Sequence, residues 1–182
     1  GTREEPCFGV MEGVFEEYGL PFAIRSDNGV PFASQALFGL SKLSVWWLNL
    51  GISLERIVPG HPEQNGRHER MHRTLKIETT KPPGKNLLNQ QEIFERFMDE
   101  YNCVRPHEAL SMKTPKDIYT KSQRPYQTGW TAPFEYDQPY DKIVTVSKCG
   151  SISFARKKRI FITEPLGGEE LALTEHDDGV WS

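Results

Sequence analysis

Cysteine is scarce in these 182 residues: Cys7, Cys103 and Cys149 are the only three. Their odd number and lack of metal or redox spacing exclude a disulfide framework. Long apolar runs are missing too. The richest, Val45-Trp46-Trp47-Leu48, is far too short to span a bilayer, and no secretory leader pattern is visible, so a soluble, cytoplasmic protein is expected. There is no net positive charge, since the formal balance is -3, and no internal repeat or low-complexity tract. What is present is ordinary: 37% hydrophobic and 26% charged residues, enough for a core in one large or two small domains.

The charge is unevenly placed. Residues 61–85 carry six Lys/Arg against three acids, whereas residues 1–27 carry two against six. A local cationic face of this kind suits a nucleic-acid backbone despite the negative total. It coincides with the stretch Pro59-Gly60-His61-Pro62-Glu63-Gln64-Asn65-Gly66-Arg67-His68-Glu69-Arg70-Met71-His72-Arg73-Thr74-Leu75-Lys76. Pro62 and Glu63 suit a first helical turn, and the residues from Asn65 onward follow helical spacing. Asn65, Glu69, His72, Arg73 and Lys76 then share one flank, with Glu69 as a lone carboxylate among bases.

Three readings of that helix compete. His68-Glu69-Arg70-Met71-His72 matches H-E-x-x-H, in which two histidines hold zinc and the glutamate is a general base; Glu92, Glu95 or His107 would supply the third ligand. The longer form fails, because Leu75 stands where its glycine belongs. Alternatively Glu69 itself binds a metal together with carboxylates from elsewhere. The third possibility is a solvated helix face. Upstream, residues 19–29 form a short apolar run ending in Ser26-Asp27-Asn28-Gly29. That pattern reads as a buried strand followed by a turn, with Asp27 at the carboxyl end of the strand, where open α/β sheets place their ligands. By itself an Asp before Asn-Gly is more often a turn-former than a ligand. Paired with Glu69 it makes an all-oxygen donor set, which suits magnesium or manganese better than zinc.

Taken in order, residues 7–18 recur at helical spacing and end at Gly19. Ser34 is a candidate N-cap for a helix reaching toward Leu50, with the Trp46-Trp47 pair in the core. Residues 52–58 read as a second strand, and residues 88–101 as an amphipathic helix with Phe94, Phe97, Met98 and Tyr101 on one side. Thr114-Pro115 starts a further helix. Residues 122–139 have the Pro/Gln/Gly content of a linker. After it come short β runs at 143–146, 152–154, 159–162 and 171–173, expected to form a small antiparallel β-barrel. Arg156-Lys157-Lys158-Arg159 would crown one hairpin as phosphate contacts, or simply form a solvated turn.

Three groups of residues carry a family resemblance: Ser26-Asp27-Asn28-Gly29, then the Pro59 to Arg70 stretch, then Tyr101-Asn102 with Arg105-Pro106-His107-Glu108-Ala109-Leu110. In this order the chain resembles the integrase-core (DDE) transposases of bacterial insertion sequences, relatives of retroviral integrases. The resemblance implies an α/β fold: a partial RNase H-like catalytic core with a helical extension over 1–121, a linker over 122–135 and a β-barrel over 136–182. It implies that Asp27 and Glu69 are catalytic metal ligands, with 41 residues between them. It implies two Mg²⁺ or Mn²⁺ ions, and DNA strand nicking and joining at the ends of a mobile genetic element. DNA and further copies of the chain in a synaptic complex would be the partners. Asn65, Arg67, His72, Arg73, Lys76, Arg156, Lys157, Lys158 and Arg159 would contact the DNA. The family's first aspartate has no counterpart, because residues 1–26 contain no aspartate. The expectation is therefore a chain truncated before that residue and inactive alone. The alternative is a non-catalytic DNA-binding or assembly remnant.

Overall fold

The structure, a computed structural model, describes residues 4–34, 37–58, 60–132, 139–154 and 158–182. The chain divides into two compact units that do not follow its order. One joins Gly1–Ile57 to Ser122–Ser182, and the other is Val58–Lys121.

The first unit opens with α1 (Glu4–Tyr18), whose Phe8, Met11 and Phe15 turn toward the core at helical spacing. The helix stops where Gly19 takes the left-handed conformation (φ 78°) that its lack of a Cβ permits, and its N–H bonds Phe15 O at 2.8 Å. Strand β1 (Ala23–Ser26) follows and pairs in parallel with β2 (Ser53–Arg56), Ile24 opposite Leu54. Between them runs α2 (Lys42–Asn49). Its cap is Ser41, not Ser34. Ser41 Oγ accepts the Ser44 N–H at 3.1 Å, while Ser44 Oγ accepts the Ser41 N–H at 2.8 Å. No helix can start at Ser34, because Phe38 (φ 61°) and Gly39 (φ 62°) break the backbone; the Ser34 hydroxyl bonds Leu40 O instead. Six apolar side chains close the core: Phe15, Leu20, Leu43, Trp47, Leu50 and Ile52. Trp47 is 1% exposed and stacks on Phe32, as expected for a core tryptophan.

Residues 122–132, which have the composition of a linker, are stitched to this core. Ser122 Oγ donates to Leu20 O at 2.6 Å, and Leu20 N–H donates to Arg124 O at 2.7 Å. The Arg124 guanidinium donates to the carbonyls of Pro21, Leu50 and Gly51 at 2.7–2.9 Å. Tyr126 packs against Phe15 and Trp46 and donates to Glu12 at 2.9 Å.

The expected β runs are present, and they form no closed sheet among the described residues. β3 (Lys142–Thr145) pairs with β6 (Glu170–Leu173), and β4 (Ser151–Phe154) with β5 (Lys158–Phe161). β7 (Glu175–Asp177) and β8 (Val180–Trp181) form a last hairpin, turning at Asp178-Gly179. Closure needs each strand to bond two neighbours, and among the described residues each bonds only one. A small apolar cluster of Val144, Val146 and Ile152 holds the pairs.

The second unit is helical. A 3₁₀ turn (Pro62–Asn65) leads into α3 (Gly66–Thr80), followed by α4 (Leu87–Asp99) and a π-helical turn (Glu100–Val104). Asn86 caps α4 by accepting the Asn89 N–H at 2.8 Å. Thr114 caps the short α5 (Pro115–Ile118) through a capping box with Asp117. No helix among the described residues is long and apolar enough to cross a membrane.

Candidate metal and nucleic-acid site

Asp27 lies immediately beyond β1, exposed, at the strand end where it was expected. Its Oδ1 accepts the Gly29 N–H at 3.0 Å, an Asx turn that fixes the side chain beside the loop. Asn28 Nδ2 donates to Ile57 O at 2.9 Å and Ile57 N–H to Ser26 O at 3.3 Å, so the loop is tied to the exit of β2. One carboxylate oxygen thus serves the turn, and the described residues give the other no hydrogen bond. Turn-former and metal ligand are compatible roles for this residue.

Glu69 sits in the first turn of α3, exposed, in no ion pair with another described residue. The helix carries the cationic row as the spacing required. Asn65 stands at its N-cap position without a side-chain capping bond, and His72, Arg73 and Lys76 are exposed along it. His72, Arg73, Lys76, Thr79 and Phe94 line a shallow groove of about 430 Å³ on this unit. Arg67 is also exposed, but two residues from Glu69 places it about 200° round the helix. Asp27 belongs to the first unit and Glu69 to the second. On β5, Lys158 and Arg159 are exposed strand residues paired with Phe154 and Ser153, Lys158 in the last pair toward the hairpin turn. Arg156 and Lys157 lie outside the described residues, as does Pro59.

Among the described residues the zinc reading of this helix finds no third ligand. His68 and His72 approach with ring centroids 4.4 Å apart, yet no group of three His, Cys, Asp or Glu side chains forms among the described residues. His107, one of the suggested ligands, instead places Nε2 3.2 Å from Tyr101 O and its ring edge-on to Tyr101.

Two features escaped the sequence reading. Arg105, quoted there only within a motif, forms a fork on Glu78, Nη1–Oε1 2.9 Å and Nη2–Oε2 2.8 Å, and also reaches Glu100 at 2.8 Å. The Arg105 hydrogen bond holds the Glu78 carboxyl below its usual value, and the two carboxylates raise the Arg105 guanidinium further above its own. The other is the Arg124 strap. In sequence, the only signal for either was an arginine among loop residues.

Comparison with known proteins shows what the chain is similar to. Residues 50–115 match the family model described as integrase core domain. Over 146 residues the chain is 28% identical to an uncharacterized insertion element IS476 protein of Xanthomonas euvesicatoria, covering 73% of this chain and 40% of that one. Over 104 residues it is 29% identical to an uncharacterized insertion element IS407 protein of Burkholderia multivorans, covering 57% and 35%. Over 72 residues it is 39% identical to the Gag-Pol polyprotein of baboon endogenous virus, covering 40% and 4%. The chain therefore spans well under half the length of these relatives. In fold it resembles a chain from the cryo-EM structure of the simian T-cell lymphotropic virus intasome in complex with PP2A regulatory subunit B56 gamma. That match has a TM-score of 0.52 at 17% identity, over 98% of this chain and 60% of that one.

Proposed function

We infer the function from one premise, that this chain belongs to the integrase-core (DDE) transposases. We propose that it takes part in metal-dependent strand nicking and joining at the ends of a mobile genetic element. The observation that carries this is Glu69, an exposed carboxylate without an ion-pair partner, on a cationic helix inside the matched segment.

Asp27 and Glu69 offer only oxygen donors, each exposed and each with an oxygen the described residues leave unbonded, which fits Mg²⁺ or Mn²⁺. Such ions, when bound, supply charge neutralisation at the attacking and leaving oxygens of an in-line displacement. The protein's own residues do the rest. The Asx turn at Gly29 holds Asp27, and α3 presents Glu69. Arg73 and Lys76, with Asn65 and His72 on the same flank, bind phosphates and set the register of the strand. Lys158 and Arg159 on β5, with Arg156 and Lys157, add backbone contacts from the β appendage. In this reading DNA ends and target DNA are the partners, and copies of the chain assemble around them.

The test is Asp27→Asn and Glu69→Gln in a strand-transfer-active transposase containing this chain. Each should abolish strand transfer while DNA affinity stays within about twofold, since the phosphates are held by cations. Retention of strand transfer by Glu69→Gln would refute the assignment.

A further inference from the structure

The side chains of α3 proposed to meet metal and DNA, Glu69, His72, Arg73 and Lys76, lie toward one side of the helix. Glu78 lies nine residues after Glu69, about two and a half turns, and therefore on the opposite side of the helix. Arg105 grips that opposite side, while the last turn at Thr79, seven residues after His72 and so on its flank, is tied to α4 through Gln90. Arg105 holds both Glu78 oxygens, and its guanidinium stands 5.8 Å from the Tyr101 ring centroid. Gln90 Nε2 donates to Thr79 O at 3.0 Å while its Oε1 accepts the Gly84 N–H at 2.7 Å, and Thr79 is fully buried. Arg105 is delivered there by the π turn, whose closing bond runs from Arg105 N–H to Glu100 O at 2.9 Å. Tyr101, stacked on Phe97 and edge-on to His107, fixes that turn. The helix is thus anchored by its C-terminal half, while Arg67, Glu69, His72 and Arg73 in its N-terminal half are exposed.

We propose that Arg105 is a positioning residue for strand transfer: its fork on Glu78 fixes the rotation of α3 and so the direction in which Glu69 and the cationic row face metal and DNA. The inference rests on the assignment of Glu69 above. A fork suits the task because two parallel bonds define a plane, which a single charge contact does not. Groups that must act together lose efficiency steeply when one is turned away, about a hundredfold for a displacement near 1 Å.

The experiment measures strand-transfer turnover and KM for DNA in an active transposase containing this chain. Arg105→Ala should lower turnover about 10- to 100-fold and leave KM for DNA within about twofold. Arg105→Lys keeps the charge but not the fork, and should recover only part of the loss. The charge swap Glu78→Arg with Arg105→Glu keeps an arginine–carboxylate pair across the same two positions but sets the new carboxylate against Glu100, and should restore part of the turnover. Should Arg105→Ala fail to fold, the near-isosteric Glu78→Gln serves, with the same turnover-only loss. Wild-type turnover in Arg105→Ala, a loss confined to KM, or a swap that restores nothing would each overturn the proposal. Glu69→Gln, measured alongside, separates the two readings. If it remains active, the site assignment is what fails. If it is inactive while Arg105→Ala is unimpaired, only the positioning role fails.

Discussion

In the first unit, six buried apolar side chains with Trp47 at their centre hold α1, α2 and the β1–β2 pair together. In the second unit Thr79 is the only buried residue among those described, and Leu87 and Leu88 of α4 are 88% and 79% exposed. There the helices are held by a guanidinium fork, a bridging glutamine and caps. Burial contributes much energy and little direction, whereas polar ties contribute little net energy and much direction. The unit that carries Glu69 is thus oriented more than it is stabilised, which suits a helix whose task is to aim side chains.

The largest expected effect tests the burial half of this contrast. Trp47→Ala should cost about 3–5 kcal/mol, read by denaturant unfolding. Hydrogen exchange should then quicken in α2 and β2 but not in α4. Equal quickening in α4 would show that both units share one cooperative transition, and the contrast would collapse. Arg124→Ala comes next. Removing three charge-assisted bonds to carbonyls should cost about 2–3 kcal/mol, again confined to the first unit. No loss would show residues 122–132 to be a linker after all.

Much of this organisation was legible beforehand, and the exceptions share a cause. The helices α1, α3 and α4 and the strands β1 and β2 were visible because their apolar period and their breakers, such as Gly19 and Gly51, agree. Motif spacing singled out Asp27 and Glu69, and the structure shows both exposed, Asp27 at a strand end and Glu69 in the first turn of a helix. The start of α2 was not, since Ser34 and Ser41 are equally good caps; the choice is made by Phe38, a non-glycine residue in a left-handed conformation. The strap was hidden because Arg124 bonds backbone carbonyls 73 to 103 residues away, and backbone acceptors leave no mark on composition. The Arg105 fork depends on a π turn, which shifts the helical phase in a way no period of 3.6 reveals. The four main β runs were correct, but their closure into a barrel depends on pairings between strands that periodicity does not specify.

Smaller effects sharpen the polar half of the comparison. Replacing Arg73 and Lys76 together by Ala should flatten the salt dependence of DNA binding by about two units of log–log slope, if each neutralises one phosphate. An unchanged slope would remove that face of α3 from the backbone contact. The smallest effect concerns pH. Because Arg105 lowers the Glu78 carboxyl in the folded protein, its stabilisation is complete above the ordinary carboxylate value and fades as pH falls through the lowered one. Glu78 is partly exposed, so Glu78→Gln should cost only a few tenths of a kcal/mol at neutral pH. Its melting temperature should converge with that of wild type under acid conditions. A gap that persisted in acid would assign the loss to packing rather than charge.

The central claim is the proposal that Glu69 is a ligand for a divalent metal. Anomalous diffraction from crystals of this chain grown with Mn²⁺ tests it most directly. The account predicts an Mn²⁺ ion in contact with a Glu69 carboxylate oxygen. Mn²⁺ absent from Glu69, or held by His68 and His72 instead, would contradict it.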